Sequence, residues 1–390
     1  MRRTFALMYA LVFFDEVALL ALVPLVPGYR EAYDLSAAQA GALLSAASLA
    51  IVVAAVPAGR LSDRHGARRV TIAAGALVAA ATALTAVAPG FAVLLVARAA
   101  FGLGSGTIWS AGLAWIGDSA SDARRPAALG TVITIAGVGG MAGPVVAGYL
   151  ADNIGRGAPW AVMSAATALV VAGLAVSDPG RQVAHPHRPL RQVASSMRRE
   201  PLLVGAAAIM LLGGVGDGVI NLIAPLQLAG HGFSSGRIGF WFSVGAALFI
   251  ALSAATTRVG RRAVSLRAAA FFAVLQAVTI IPVLVSGAAV AVVAMVLARF
   301  AAAALPYTIG YPLAAVGAAR LGLGTGTVNG LLGLVWGFGS FAAPPAAGAL
   351  ADTAGNRAVY VALVAFLLLI AAWILRAAQR HALPAPAAAS

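Results

Sequence analysis

Cysteine is absent from the 390-residue chain, which excludes disulfide frameworks, thiolate metal sites and cysteine nucleophiles. Lysine is absent as well, since all 26 basic residues are arginine. The glycine-rich stretch Gly102, Gly104, Gly106 therefore has no phosphate-binding lysine; it follows no strand, and helix packing is its simpler use. Charge of either sign is scarce: 10% of residues are charged, against about 25% in ordinary soluble domains. What is abundant is apolar surface, at 61% of residues with a mean hydropathy of +0.94. No water-soluble fold hides that much. A helix of about 20 apolar residues crosses a bilayer, so twelve crossings would use roughly 240 residues and leave short loops and one longer linker.

The net charge of +14 would suit a nucleic-acid surface if the arginines formed one basic face, but they lie in bands between apolar runs. The first run stays attached despite the Arg2, Arg3 start, because it carries Asp15 and Glu16, reaches Pro27 and lacks a small-residue cleavage site. Further runs fall at 37–58, 70–88, 92–116, 127–150, 158–176, 201–228, 236–257, 267–286, 288–317, 323–350 and 357–376. Loops on one side then hold twenty arginines and those on the other only Arg30, Arg156, Arg237 and Arg357; Arg98 and Arg299 remain inside spans. The positive-inside rule makes the rich side, with both termini, cytoplasmic.

Residues 1–176 form a first six-helix bundle, 177–200 a cytoplasmic linker, and 201–390 a second bundle with a short tail. His185 and His187 in the linker have no third ligand nearby, so no metal site is expected. The two bundles repeat. Gly130, Gly139, Pro144, Ala147, Gly148 and Asp152 recur 200 positions later as Gly330, Gly339, Pro344, Ala347, Gly348 and Asp352. Arg98 matches Arg299, and Asp15 with Pro24 matches Asp217 with Pro225. Two parallel halves with a site between them at mid-membrane is one architecture of secondary transporters. The fold class expected is all-α and integral to the membrane, twelve spans in two pseudo-symmetric bundles.

The loop after the second span reads Gly59, Leu61, Asp63, Arg64, Gly66, Arg68 and Arg69, which matches G-x-L-x-D-R-x-G-x-[RK]-[RK]. On this motif the chain resembles the major facilitator superfamily over nearly its whole length. The resemblance implies a conformational gate: the two glycines permit a tight turn, and Arg68 and Arg69 are able to reach Asp118. Gly130, Gly139, Gly143, Pro144 and Gly148 in the fifth span resemble the antiporter motif of exporting members, with Ala147 where that motif has glycine. Asp15 followed by Pro24 and Pro27 resembles the first span of drug:proton antiporters and of vesicular monoamine transporters.

A charge inside a span costs at least about 2.5 kcal/mol and by default marks function. Asp15, Glu16, Arg98, Asp217 and Arg299 fall on spans 1, 4, 7 and 10, which the resemblance places around a central cavity. Two acid and arginine constellations follow, Asp15 with Arg98 and Asp217 with Arg299. Burial disfavours a charged carboxyl and a nearby guanidinium favours it, so a motion that changes their separation changes proton affinity. Trp109, Asn221, Tyr307, Tyr311, Asn329 and Trp336 are candidates to line the cavity, the aromatics suiting planar or cationic organics.

The reading is a proton-coupled exporter of a small organic molecule, cationic or antibiotic-like. Its partners are substrate, protons and lipid, with no nucleic acid and no cofactor, and it is monomeric. The alternatives are a proton symporter importing a metabolite and a transporter-like sensor that moves nothing. No nucleophile and base pair suggests an enzyme. Abundant alanine and arginine without lysine point to a GC-rich bacterial genome and hence an inner-membrane location.

Overall fold

The computed structural model describes residues 2–121, 123–177, 195, 197–198, 200–256, 265–323 and 325–380. Most of the linker, with His185 and His187, lies outside the described residues, as do Arg258, Arg261 and Arg262. Every regular element among the described residues is a helix, and ten of them are long and apolar enough to cross a membrane.

In chain order these are α1 (Arg2–Ala32), α2 (Ala37–His65), α3 (Ala67–Ala86), α4 (Phe91–Thr107) running through a π-turn (Ile108–Gly112) into α5 (Leu113–Ser119), α6 (Arg125–Asn153) and α7 (Ala158–Ala175). Then come α8 (Pro201–Gly230), α9 (Ser235–Thr256), α10 (Leu266–Val278), α11 (Ile281–Val285), α12 (Ala289–Arg320) and α13 (Thr325–Arg380). The run expected at 267–286 is two pieces, because Pro282 has no N–H to continue α10 and fits only the first turn of α11. The runs expected at 323–350 and 357–376 are joined in α13, whose helical course is interrupted at Gly355 (φ 79°). Glycine takes that left-handed conformation without a Cβ penalty.

The helices pack in two sets. In one, α1 lies on α6 and α7, α2 on α4, and α3 on α4 and α7; in the other, α8 lies on α12 and α13, α9 on α12, and α10 on α13. Two broad seams join the sets, α2 against α13 and α6 against α9, and α1 also touches α8. Without a hydrophobic drive between helices in lipid, close contact depends on small residues. A Cβ on Gly139 would stand 2.6 Å from the Phe13 carbonyl oxygen of α1, and one on Gly339 would stand 2.8 Å from the Val215 nitrogen of α8. Residues 200 positions apart thus do the same packing work on equivalent neighbours. Gly102 and Gly106 seat α4 on the backbone of α2 at Ala47 and Ile51, the packing use expected of them.

Candidate functional site

In the first set Asp15 is fully buried on α1, at about the middle of the helix. Its Oδ2 accepts a 2.8 Å hydrogen bond from Ser105 Oγ, while Oδ1 is buried with no hydrogen-bond partner. Glu16, half-buried, is the next residue, and the Trp109 indole is within hydrogen-bonding reach of both carboxyls. Trp109 sits in the π-turn, which widens the helix by one residue per turn and re-aims the side chains that follow; such turns recur at functional sites. Ser105, one helical turn before Trp109, presents its hydroxyl to the same carboxyl.

Arg98 is also buried, but it is not in ion-pair contact with Asp15. Its guanidinium lies 4.6 Å from the Phe101 ring centre and 5.7 Å from that of Trp160, and Trp160 Nε1 donates to Tyr29 Oη at 2.7 Å. The acid and the arginine thus share the buried interior of this set without forming a salt bridge. Aromatic faces hold the cation a layer away from the acid, close enough for electrostatic influence but not for a salt bridge.

The second set does form its pair. Arg299 Nη2 is 3.7 Å from Asp217 Oδ1, and Trp336 Nε1 donates to Asp217 Oδ2 at 3.4 Å. Asp217, Asn221 and Arg299 border one cavity with Ile220, Phe300 and Ala303. The Asp217 side chain is 32% exposed against 3% for Arg299, so the acid faces open space and the base stands behind it. Gly216 makes this possible, because the Arg299 guanidinium occupies the volume a Cβ at 216 would need. The helix α8 runs continuously through Gly213, Gly214 and Gly216, and Gly214 gives its space to the α13 backbone at Trp336.

Of the other expected cavity residues, Trp109 joins the first-set acids, and Asn221 and Trp336 join the second-set cluster. Tyr311 is exposed and lies twelve residues beyond Arg299, roughly 18 Å along α12, so the structure does not bring it there. The side chains of Tyr307 and Asn329 lie outside the described residues. Ser105 and Gly216 were not anticipated. Serine and glycine abound in membrane helices, and only the position of each one turn or less from an acid or its contact marks them.

At the loop after α2, Gly66 (φ 87°) alone makes the turn into α3; Gly59 lies within α2, so the expectation of two turn glycines is corrected. Arg68 Nη2 donates to the carbonyls of Leu174, Ala175 and Ser177 at 3.2, 2.6 and 3.2 Å, adding a cationic cap to the end of α7 and the residues just after it. Asp63, Arg64 and Arg69 are exposed, and Asp118 is buried in the last turn of α5. The antiporter-like motif divides in two. Gly139 and Gly143 seat α6 on α1 beside Glu16 and Val17, and Gly148 seats it on α9 at Ser235, whereas Gly130 faces open space.

Buried acids at mid-helix, a second acid facing a cavity, and two helix sets joined along two seams are features of a membrane transporter. The sequence profile of the Major Facilitator Superfamily matches residues 5–329, and the chain belongs to that family. It is accordingly a multi-pass membrane protein with the fold of transporters. Among curated proteins it is 28% identical over 165 residues to the MFS-type transporter ppzB of Metarhizium rileyi (strain RCEF 4871), covering 41% of this chain and 34% of that one. It is 30% identical over 120 residues to the protein of the same name from Metarhizium majus (strain ARSEF 297), covering 31% and 26%. The match thus spans about a third or less of those relatives. Two solved structures share the fold. A bacterial homolog of the human lysosomal transporter Spinster, inward-facing and occupied, has a TM-score of 0.77 at 18% identity over 96% of both chains. A POT family transporter in complex with 5-aminolevulinic acid has a TM-score of 0.79 at 11% identity over 97% of this chain and 96% of that one.

Proposed function

We propose that this chain exports a small organic cation in exchange for protons by alternating access. The carrying observation is the unequal placement of two repeat-related acids. Asp15 is sealed, bonded by the Ser105 hydroxyl with the Trp109 indole within reach and, among the described residues, no arginine in contact, which is the setting of a group that alternates between charged and neutral forms. Asp217 is partly open at the cavity, held by the Arg299 guanidinium on one oxygen and the Trp336 indole on the other, the setting of a group that an incoming organic cation would meet in competition with Arg299. Neutralising Asp15 from the outside would release the cation, and losing that proton to the inside would restore the binding charge.

The reading includes twelve spans, obtained by dividing α13 at Gly355 and counting α12, whose apolar part Ala289–Ala304 is short. It places residues 1–176 and 201–390 as rocking halves joined by 177–200, in a bacterial inner membrane with both termini cytoplasmic. The arginine-rich loops support that orientation. The gate loop at Gly66 and the Gly139 to Gly148 stretch support switching and export respectively.

The test is proton release from purified protein in lightly buffered detergent as cationic and neutral organic compounds are added. Release on binding of cations, abolished by Asp15→Asn and retained in Asp217→Asn only at much higher ligand concentration, is expected. Binding without proton release would defeat the coupling. Flux in vesicles that follows the pH gradient inward, with substrate and proton moving together, would establish the symporter instead.

A further inference from the structure

At the end of the molecule opposite the Gly66 loop, each helix set supplies a carboxylate to a helix start of the other set. Asp352, on α13, accepts from the Ala37 and Ala38 backbone nitrogens of α2 at 2.9 and 3.0 Å. Asp152, at the end of α6, accepts from the Gly236 nitrogen of α9 at 2.8 Å. These acids are repeat mates, 200 positions apart. Their targets are mates as well, Ala38 and Gly236 each lying two residues after a serine that already caps the same helix: Ser36 Oγ accepts from Gln39 N, and Ser234 Oγ from Arg237 N.

Each helix start thus divides its unpaired N–H groups between a serine of its own set, which bonds the third, and a carboxylate from across the seam, which bonds the first two in α2 and the second in α9. The backbones are close enough to require it. Gly148 meets Ser235 and Gly348 meets Ala37 with no room for a Cβ, and a Cβ on Gly236 would stand 2.7 Å from Asp152 Oδ2. Farther along the same seams Ser45 Oγ donates to the Phe341 carbonyl at 2.6 Å, a carbonyl whose helical donor is missing because residue 345 is proline. The mate of Ser45, Ser243, accepts from Val145 N at 3.2 Å.

We infer that Asp152 and Asp352 are a pair of reciprocal latches that hold this end of the transporter shut, each capping a helix of the opposite half and both releasing when the halves separate there. The helix starts remain formed in either state, because Ser36 and Ser234 cap them independently of the seam. Only the first N–H groups exchange carboxylate for water. Two latches at opposite corners of the interface resist tilting in either direction, which a single contact does not.

The inference rests on the proposed rocking of the two halves, but its test requires neither substrate nor protons, so it stands or falls separately from the coupling. The chain has no cysteine, so nitroxide labels go cleanly onto Glu31→Cys and Ala354→Cys, both exposed at this end on opposite sets. The parent should give a predominantly short inter-label distance. Asp152→Ala and Asp352→Ala should each raise the ratio of separated to closed molecules by roughly tenfold, the size of a lost charge-assisted hydrogen bond, and the double variant should raise it further. Asp152→Asn with Asp352→Asn, which keeps one acceptor oxygen on each, should shift the same ratio less and serves if the alanine pair does not fold. An unchanged distance distribution in a folded double variant of either kind overturns the latch. So does an equal shift from Asp34→Asn, which removes a neighbouring charge that caps no helix across the seam.

Discussion

Asp15 and Gly216 illustrate opposite ways in which a single residue controls the site. Asp15→Asn keeps the shape and the Ser105 contact but removes the proton. Proton-driven uptake into inverted vesicles should fall to background, while substrate counterflow without a gradient survives; pH dependence like the parent's in that variant would end the role. Gly216→Ala adds one methyl where the Arg299 guanidinium lies. Overpacking of this kind costs about 1–3 kcal/mol. Thermal unfolding in detergent should show a loss of that size, and the loss should largely vanish when Gly216→Ala is combined with Arg299→Ala, because the collision is then gone. The five intramembrane charges were legible in the sequence because charge in an apolar run stands out. Ser105 and Gly216 were not, since nothing in their chemistry distinguishes them from dozens of packing residues until the fold sets them against an acid or a guanidinium.

Among elements, α6 separates glycines that carry contact from one that does not. Gly139→Ala would drive a methyl into the Phe13 carbonyl and push α6 off α1, whereas Gly130 has open space around its missing Cβ. Gly130→Ala should leave stability equal or higher by about 0.5–1 kcal/mol, the usual gain of alanine over glycine inside a helix. Gly139→Ala should lower stability and disturb proton release, since Glu16 lies on the contacted face. Melting curves of the two variants check both. The Gly66 turn is more sharply constrained: its φ of 87° makes Gly66→Ala costly by about 1–2 kcal/mol. Helix positions were largely readable from hydropathy, but ends and breaks were not. The second span runs on to His65 because the polar stretch from Gly59 is itself helical, and Pro282 splits a run whose hydropathy is continuous. A π-turn leaves no mark in the sequence at all, because it is a change of backbone register within an unremarkable apolar run.

For the molecule as a whole, exchange of one proton for one monovalent cation moves no net charge. Transport should then respond to a pH gradient, at about 1.4 kcal/mol per unit, and be indifferent to membrane potential. A net charge would instead gain about 2.3 kcal/mol per 100 mV. Potassium-clamped vesicles distinguish the two: a rate that changes severalfold with potential at fixed pH would rule out one-for-one exchange. The two-fold repeat was legible from residues such as Gly139 with Gly339 and Asp152 with Asp352, because packing contacts recur at a fixed offset. That the repeat is imperfect at its centre was not legible. A salt bridge in one set and a cation sandwiched between rings in the other arise from the same Asp and Arg pairing in sequence, and only the neighbouring aromatic residues decide which forms.

Arg68 gives the molecule one further property. By grasping three carbonyls at the close of α7, it moors the point from which the chain departs toward the second half to the first turn of α3. Any pull transmitted from beyond Ser177, whether from a docked protein or an inserted tag, is therefore felt first at the Gly66 turn, and a fusion placed just after Ser177 loads that turn rather than an idle tether.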